Sequence, residues 1–185
     1  MSSHWASDDS DRELMQRIAR KRDAGAFERL YHHYRDRLGP FIFRVVRDPG
    51  ANEEVFNDVM LAVWRKGSQY NGTARVSTWI FAIAYRQCLK KLRDRRPFEE
   101  LGEHHLSGPD EERGREQRDL VRRALEQLSP KHRMVIELSY FQGNKYEEIA
   151  AIAGCPANTI KTRMFHARRR LKEIMENLGE TSPAE

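Results

Sequence analysis

Basic side chains are concentrated in two short stretches of this 185-residue chain. Residues 86–96 contain one acid, Asp94, and these six basic residues: Arg86, Lys90, Lys91, Arg93, Arg95 and Arg96. Residues 157–172 contain no acid and these six: Lys161, Arg163, Arg168, Arg169, Arg170 and Lys172. Between them, residues 98–112 hold six acids and neither Lys nor Arg. A net charge of +5 is unremarkable, but this segregation along the chain indicates a polyanionic partner.

Patterns for catalysis or metal binding are not recognisable in the sequence. Cys88 and Cys155 are far apart and no His stands at ligand spacing beside them, so we predict two small buried hydrophobes and no zinc site or disulfide. The adjacent histidines at 32–33 and 104–105 point to different faces of a helix. A Gly-rich phosphate loop and a nucleophile constellation are also missing. We therefore expect no enzyme, no cofactor and no metal.

The ends and hydropathy of the sequence bear on its location. The first thirteen residues, MSSHWASDDSDRE, carry no basic segment followed by an apolar one, so a signal peptide is not expected. No apolar run approaches the length of a membrane span. Two cysteines that form no disulfide also fit a reducing compartment. Together, these features predict a cytoplasmic protein without membrane insertion.

Apolar spacing predicts an all-α fold, and residues 10–96 form the first of two small helical domains, after a disordered lead at 1–9. Its first helix begins near Ser10, which makes a capping-box pattern with Glu13. The second has apolar residues at three- and four-residue steps as far as Asp48-Pro49-Gly50, which ends it. The third carries the stripe Val55, Phe56, Val59, Met60, Val63 and Trp64. The fourth opens at Ser77 or Thr78 and ends before Pro97.

The second domain is expected at residues 115–178, after a flexible linker at 97–114 and before a tail at 179–185. Within it, YEEIAAIAGC (146–155) reads as a short helix, Gly154 as a tight turn and Pro156 as the start of the next helix. Small residues at a helix crossing and a Gly turn are what a helix-turn-helix requires. The outward face of its second helix carries side chains that can reach base edges in a major groove. The basic stretch at 157–172 makes a plain helical hairpin the weaker interpretation.

Four segments of the sequence, taken in order, resemble those of a known protein family. Leu128-Ser129-Pro130 with YEEIAAIAGCPANTIKTRMFHARRRL resembles region 4 of bacterial sigma factors, above all the short extracytoplasmic-function (ECF) group. AFERLYHHYRDRL resembles their region 2.1, NEEVFNDVMLAVWRK region 2.2, and STWIFAIAYRQCLKKLRDRR regions 2.3 and 2.4. The resemblance spans residues 24–178. It implies a four-helix region 2 domain and a helix-turn-helix region 4 domain, in an alternative sigma factor that directs core RNA polymerase to promoters.

The resemblance implies specific partners. Region 2.2 of the family docks on the β′ clamp helices of RNA polymerase, and the matching positions are Asn57, Asp58, Met60, Leu61 and Trp64. Asp58 can pair with a basic partner, while the three apolar side chains are candidate anchors. Trp64 is explained equally well as part of the core. The polymerase β flap, promoter DNA and an anti-sigma factor are the other partners expected from the family.

Regions 2.3 and 2.4 of the family open the −10 element and hold its non-template strand. A basic track for phosphates and rings for unstacked bases suit that task. The matching residues are Tyr70, Tyr85, Arg86, Lys90, Lys91, Arg93, Arg95 and Arg96. Phe81 is a further ring that fits the core equally well, and Trp79 is expected to be a structural wedge. Many relatives have Asn in place of Arg86, so the base captured here is not predicted.

Region 4 of the family reads the −35 element. By position, the base or groove contacts are Lys161, Thr162, Phe165 and His166, and the phosphate contacts are Asn158, Arg163, Arg168 and Arg169. Two other functions remain open for the chain. A sigma-mimicking adaptor that captures an anti-sigma factor would be expected to lose the basic character of both helices, which is retained here. A plain helix-turn-helix regulator would leave residues 24–96 without a role.

Overall fold

The computed structural model describes residues 5–94 and 112–180, and the side chains of residues 9–94 and 119–178. Within these residues the regular structure is helical, with eight α-helices in two units. The all-α, two-unit prediction is confirmed. Most of the expected linker, together with Arg95 and Arg96, lies outside the described residues.

The first unit contains the four expected helices: α1 (Trp5–Lys21), α2 (Ala24–Val46), α3 (Pro49–Lys66) and α4 (Val76–Asp94). Helix α1 begins at Trp5, so Ser10 lies inside the helix and not at its start. Serine is tolerated in a helix interior at small cost, and the capping-box pattern at Ser10 was therefore not decisive. A one-turn 3₁₀ segment, Gly67–Gln69, follows α3.

Two aspartates define the helix boundaries inside this unit. Asp23 caps α2 by accepting a hydrogen bond from the Ala26 amide at 3.0 Å. That bond, with the adjacent Arg17 guanidinium, lowers the pKa of Asp23. Asp48 caps α3 by accepting from the Gly50 amide at 2.8 Å. The segment Asp48-Pro49-Gly50 was predicted to end a helix, and it also begins the next one because Pro49 occupies the first helical turn.

The second unit consists of α5 (Glu112–Glu126), α6 (Pro130–Ile136), α7 (Tyr146–Ala153) and α8 (Ala157–Glu180). Helix α5 begins at Glu112, so residues predicted as the end of the linker are helical. Helix α6 continues as one π-helical turn, Glu137–Phe141. Gly154 has φ +65°, a left-handed conformation that glycine adopts without strain, and it joins α7 to α8 as the helix-turn-helix pattern requires.

The two units are packed together around Arg133, a residue of α6 that is 4% exposed. Its guanidinium donates to the carbonyls of Leu125, Glu126 and Leu128, at 2.7 to 2.8 Å, where α5 ends. It also donates to the Arg44 carbonyl at 2.7 Å, where α2 of the other unit ends. Helix C-termini leave carbonyls without intrahelical partners, and a cation is favoured there. Burial lowers the pKa of Arg133 to about 10, which still leaves it charged at neutral pH.

Ion pairs extend this junction between the units. The Arg44 guanidinium lies 2.8 Å from the Glu137 carboxylate, which is 1% exposed, and 4.5 Å from the centre of the Phe141 ring. On the other side, Arg75 pairs with Glu148 of α7 at 3.1 Å. The buried apolar side chains of both units belong to one continuous cluster. The two units therefore share a core instead of touching only at their surfaces.

The Arg44–Glu137 pair predicts a pH-dependent stability. We expect Arg44→Met to lower the free energy of unfolding by about 2–4 kcal/mol at neutral pH, because a buried carboxylate loses its cation. Burial already raises the pKa of Glu137, and removal of Arg44 would raise it further. A carboxyl whose folded pKa is raised costs stability above that pKa, and the cost disappears as it takes up a proton. The deficit of the variant should therefore shrink as the pH falls below neutrality.

The matched control for this experiment is Arg35→Met on the same helix, because Arg35 pairs with Glu53, whose side chain is 60% exposed. Its expected loss is below about 1 kcal/mol at every pH. Urea unfolding of both variants at a series of pH values measures the difference. Equal, pH-independent losses would contradict the buried pair.

Candidate nucleic-acid interface

Helix α8 presents one exposed face that contains most of the residues predicted to read the −35 element. Asn158, Lys161, Thr162, His166 and Arg169 are exposed. Phe165, a large apolar ring, is 63% exposed on the same face. The opposite face is buried, with Ile160, Met164 and Ala167 all at 1% exposure or less. Because α7 packs behind it and Gly154 sets the crossing, the polar face is held outward as a rigid surface.

Two aromatic side chains stand side by side on this face. The Phe165 and His166 rings lie 5.4 Å apart, almost perpendicular to each other. Near the start of the helix, Thr162 donates its hydroxyl to the Asn158 carbonyl at 3.0 Å. A solvent-exposed ring between cationic side chains suits contact with a base edge or a thymine methyl group.

Arg163 and Arg168 lie at the two edges of this face. Arg163 is half-buried and turned toward the first unit, close enough for its charge to act on the Tyr85 phenol. Arg168 lies over the Tyr140 ring at 5.5 Å and lines an apolar groove on the other side of α8. The resemblance implies phosphate contacts for both residues, and in the structure they lie on either side of the exposed face.

Helix α4 presents a second basic stripe. Arg86, Lys90 and Arg93 are exposed, and their spacing puts them on one side of the helix. Lys91 is turned toward α3, where its ammonium pairs with Glu54 at 2.6 Å. In the described part of α4, the predicted basic track therefore consists of Arg86, Lys90 and Arg93, without Lys91.

The aromatic side chains predicted for base stacking are not free on the surface. Tyr85 is 3% exposed, and burial raises the pKa of its phenol. Helix α4 packs against α7, so the second unit covers this side of α4. Phe81 is 1% exposed and packs on Phe41, which confirms the core interpretation. Tyr70 is half-buried, donates to the Ala74 carbonyl at 2.6 Å and packs on Trp79 at 5.6 Å.

The α3 residues expected to meet RNA polymerase differ in their exposure. Asn57 and Asp58 are exposed, and Leu61 is 43% exposed one turn further on. Met60 is 1% exposed, so its prediction as a surface anchor is wrong. It is in phase with the buried stripe of α3, and that spacing was the signal for a core residue.

Trp64 belongs to both the core and the surface. It is half-buried, with its ring 5.1 Å from Phe27 and edge-on to it. The Arg22 guanidinium lies 5.6 Å from its centre and donates to the Trp64 carbonyl at 2.6 Å. The Trp64 ring is therefore held in a fixed position beside the exposed residues of α3.

One surface feature was not predicted from the sequence. A groove of about 610 Å³ runs between α5, α6 and α8, and it is lined mainly by apolar side chains. Tyr140 and Phe141 at its edge are 60% and 48% exposed. Exposed aromatic side chains beside an apolar groove are typical of a protein docking site.

The described residues contain neither a cluster of metal ligands nor a membrane-spanning helix. Among residues 9–94 and 119–178, no three His, Cys, Asp or Glu side chains are grouped so that they could hold a metal ion. In the same part of the chain, none of the helices combines the length and apolarity needed to cross a membrane.

Comparison with known proteins connects both basic helices to one family. The family model for Sigma-70 region 2 matches residues 30–98, which include α4, and that for Sigma-70, region 4 matches residues 118–171, which include most of α8. The chain is 33% identical to the ECF RNA polymerase sigma factor RpoE of Cereibacter sphaeroides, over 91% of this chain and 99% of that one. The chain belongs to the ECF sigma factor family. It is also 30% identical to the ECF RNA polymerase sigma factor SigL of Mycobacterium tuberculosis, over 86% and 94% of the two chains.

Two solved structures share the fold of this sigma factor. CnrH, in complex with the cytosolic domain of CnrY, superposes with a TM-score of 0.70 at 21% identity, over 91% of this chain and 98% of that one. RpoE of Bartonella quintana, in complex with the anti-sigma factor NepR, gives a TM-score of 0.67 at 24% identity, over 81% and 96%. At these identities the likeness concerns the fold.

Proposed function

We propose that this ECF sigma factor binds core RNA polymerase and brings it to promoters by holding the −35 element with α8 and the −10 element with α4. The observation that carries the proposal is that exposed basic faces occur on both family regions, on α4 in one unit and on α8 in the other. A protein that bound only an anti-sigma factor would not need either face. The chain has a binding role in initiation, and the chemistry of transcription remains with the polymerase.

In the −35 half, α8 enters the major groove with its exposed face. Lys161, Thr162 and His166 supply hydrogen-bonding groups for base edges, and Phe165 an apolar contact. Asn158 and Arg169 flank them and are assigned to backbone phosphates. Arg163 and Arg168, at the edges of the face, are assigned to phosphates further from its centre.

In the −10 half, the stripe formed by Arg86, Lys90 and Arg93 follows the phosphates of the displaced strand. A base can stack on Tyr85 only after α4 and α7 have separated, because Tyr85 is covered in the closed arrangement. Promoter opening by this sigma factor therefore requires the two units to move apart. We place that movement at the binding of core polymerase, when new contacts replace those of the junction.

Two surfaces are assigned to core polymerase. The α3 surface, with Asn57, Asp58 and Leu61 beside the fixed Trp64 ring, fits the β′ clamp helices, since it combines a carboxylate with apolar contacts. The apolar groove between α5, α6 and α8 fits the β flap. We infer from these proposed contacts that the protein acts in the cytoplasm, with the polymerase and the chromosome. Since a related fold was solved with the anti-sigma factor NepR, an anti-sigma partner is also proposed here.

Run-off transcription with core polymerase on a library of promoter fragments tests the proposal. Addition of the chain should produce transcripts from a selected set of start sites sharing a −10 and a −35 motif. If core polymerase makes the same transcripts in the presence and in the absence of the chain, the proposed function is contradicted.

Base readout by α8 makes a sharper prediction. Lys161→Ala should remove about 1–3 kcal/mol of discrimination at one −35 base pair, because one base-edge contact is lost. Competition binding with single-base variants of the selected promoter measures this loss. Lys172→Ala is the control, since Lys172 is on the same helix but lines the apolar groove. A base preference that Lys161→Ala leaves unchanged would contradict the assignment.

The polymerase surface predicts a separate defect. Asp58→Ala should weaken binding to core polymerase by about tenfold, roughly the loss of a 1.4 kcal/mol contact. Asp36→Ala removes the same group from an exposed site on α2 and should leave affinity unchanged. Fluorescence anisotropy of the labelled chain titrated with core enzyme gives both constants. Equal affinities for the two variants would reject the α3 surface.

A further inference from the structure

A basic cleft lies beside the recognition helix, and it combines the predicted DNA contacts His166 and Arg169 with residues that were not predicted. It has a volume of about 410 Å³ between α8 and the turn that joins α5 to α6. His132 and Ser129 line it from the turn and the start of α6, and His166, Arg169 and Arg170 line it from α8. Glu173 is the one acid in its lining. The cleft therefore offers several hydrogen-bond donors and an excess of positive charge.

The two arginines of the cleft can be released to bind an anion. Arg169 and Arg170 both pair with Glu173, at 3.4 and 3.2 Å, and their side chains are 67% and 57% exposed. Exposed ion pairs of this kind contribute little free energy, so a phosphate can replace the carboxylate as partner. The pairs also keep both guanidiniums at the edge of the cleft when no anion is bound.

The electrostatics around His132 also favour an anion. Burial lowers the pKa of His132, and the positive charges of His166 and Arg163 lower it further. The charged or titratable groups facing it from α8 are His166, Arg163, Arg169, Arg170 and Glu173. The end of α5 adds the uncharged Gln127. A bound anion would raise the pKa of His132 again, because a negative charge stabilises the protonated ring.

The cleft continues the DNA-facing side of α8. Thr162, His166, Arg169 and Glu173 recur at three- and four-residue steps, so the face that carries the base contacts runs directly into the cleft. A helix in the major groove has a phosphate backbone along each of its sides. The α5–α6 turn lies along one of those sides.

We propose that this cleft binds one backbone phosphate at the edge of the −35 major groove, with His132 and Arg170 as contact residues in addition to the face of α8. The inference rests on the proposed function and names a contact that anchors the recognition helix. A phosphate contact of this kind fixes orientation and adds affinity without reading sequence.

The test uses the full chain and the promoter duplex selected by run-off transcription. His132→Gln and Arg170→Gln should each bind this duplex about three- to tenfold more weakly at low salt, with equal loss for every sequence variant of the −35 element. For Arg170→Gln, the slope of log affinity against log salt should fall by about one. Lys172→Gln removes the same charge from the opposite edge of α8 and serves as the control.

Two further readouts separate a phosphate contact from a structural role. Methylphosphonate substitution in the DNA neutralises one phosphate at a time. At one position beside the −35 element, it should weaken binding of the unmodified chain to the duplex. At that position it should weaken binding of His132→Gln and of Arg170→Gln less than binding of the unmodified chain, because each variant retains only one of the two cleft contacts. Affinity of the unmodified chain should rise as the pH falls through the pKa of His132, and His132→Gln should lose part of this rise.

The outcomes distinguish this inference from the function on which it rests. If the unmodified chain selects promoters but both cleft variants match Lys172→Gln in affinity, salt slope and methylphosphonate pattern, the cleft is not a phosphate site. If the unmodified chain selects no promoter, the proposed function fails and the cleft contact fails with it.

Discussion

The arrangement of this sigma factor depends on one buried guanidinium. Arg133 lies where the C-termini of α2 and α5 meet, and it donates to backbone carbonyls at both helix ends. Removing a cation from water is costly, so Arg133 is stable there only while both helix ends remain in place. The position of region 4 against region 2 therefore depends on the hydrogen bonds of Arg133. No other residue type could make this set of bonds, since only a guanidinium offers five donors in one plane.

This coupling has different consequences for the two DNA-binding helices. The face of α8 points away from the junction and is ready for a major groove. Helix α4 is half covered, because its basic stripe is exposed while Tyr85 is buried on the side that faces the second unit. The closed arrangement therefore leaves the face of α8 exposed, while Tyr85 stays covered. Under the proposed function, free energy gained at the polymerase surfaces offsets the loss of the shared core before strand opening begins.

Features that depend on local spacing were predictable from the sequence, and features that depend on distant contacts were not. The helices, the turn at Gly154 and the exposed face of α8 follow from apolar period and turn chemistry. Met60 was misassigned although its own periodicity indicated burial. The position of Arg133 arises from segments far apart in the chain, and the residue carries no local sign of it. Tyr85 is in phase with the buried Phe81 and Cys88 of its own helix, but the packing of the second unit against α4 could not be read from that pattern. The cleft at His132 was missed for the same reason, because its two sides come from separate helices.

Hydroxyl-radical footprinting of the free chain and of its complex with core polymerase is the most direct test of whether the units separate for function. Tyr85 and Tyr34 are both buried in the free chain, Tyr85 between the units and Tyr34 within the first unit. We expect oxidation of Tyr85 to rise several-fold on binding of core polymerase in the absence of DNA, while Tyr34 stays protected. If Tyr85 remains as protected as Tyr34 in a holoenzyme that opens promoters, the units do not separate and Tyr85 does not hold the −10 element.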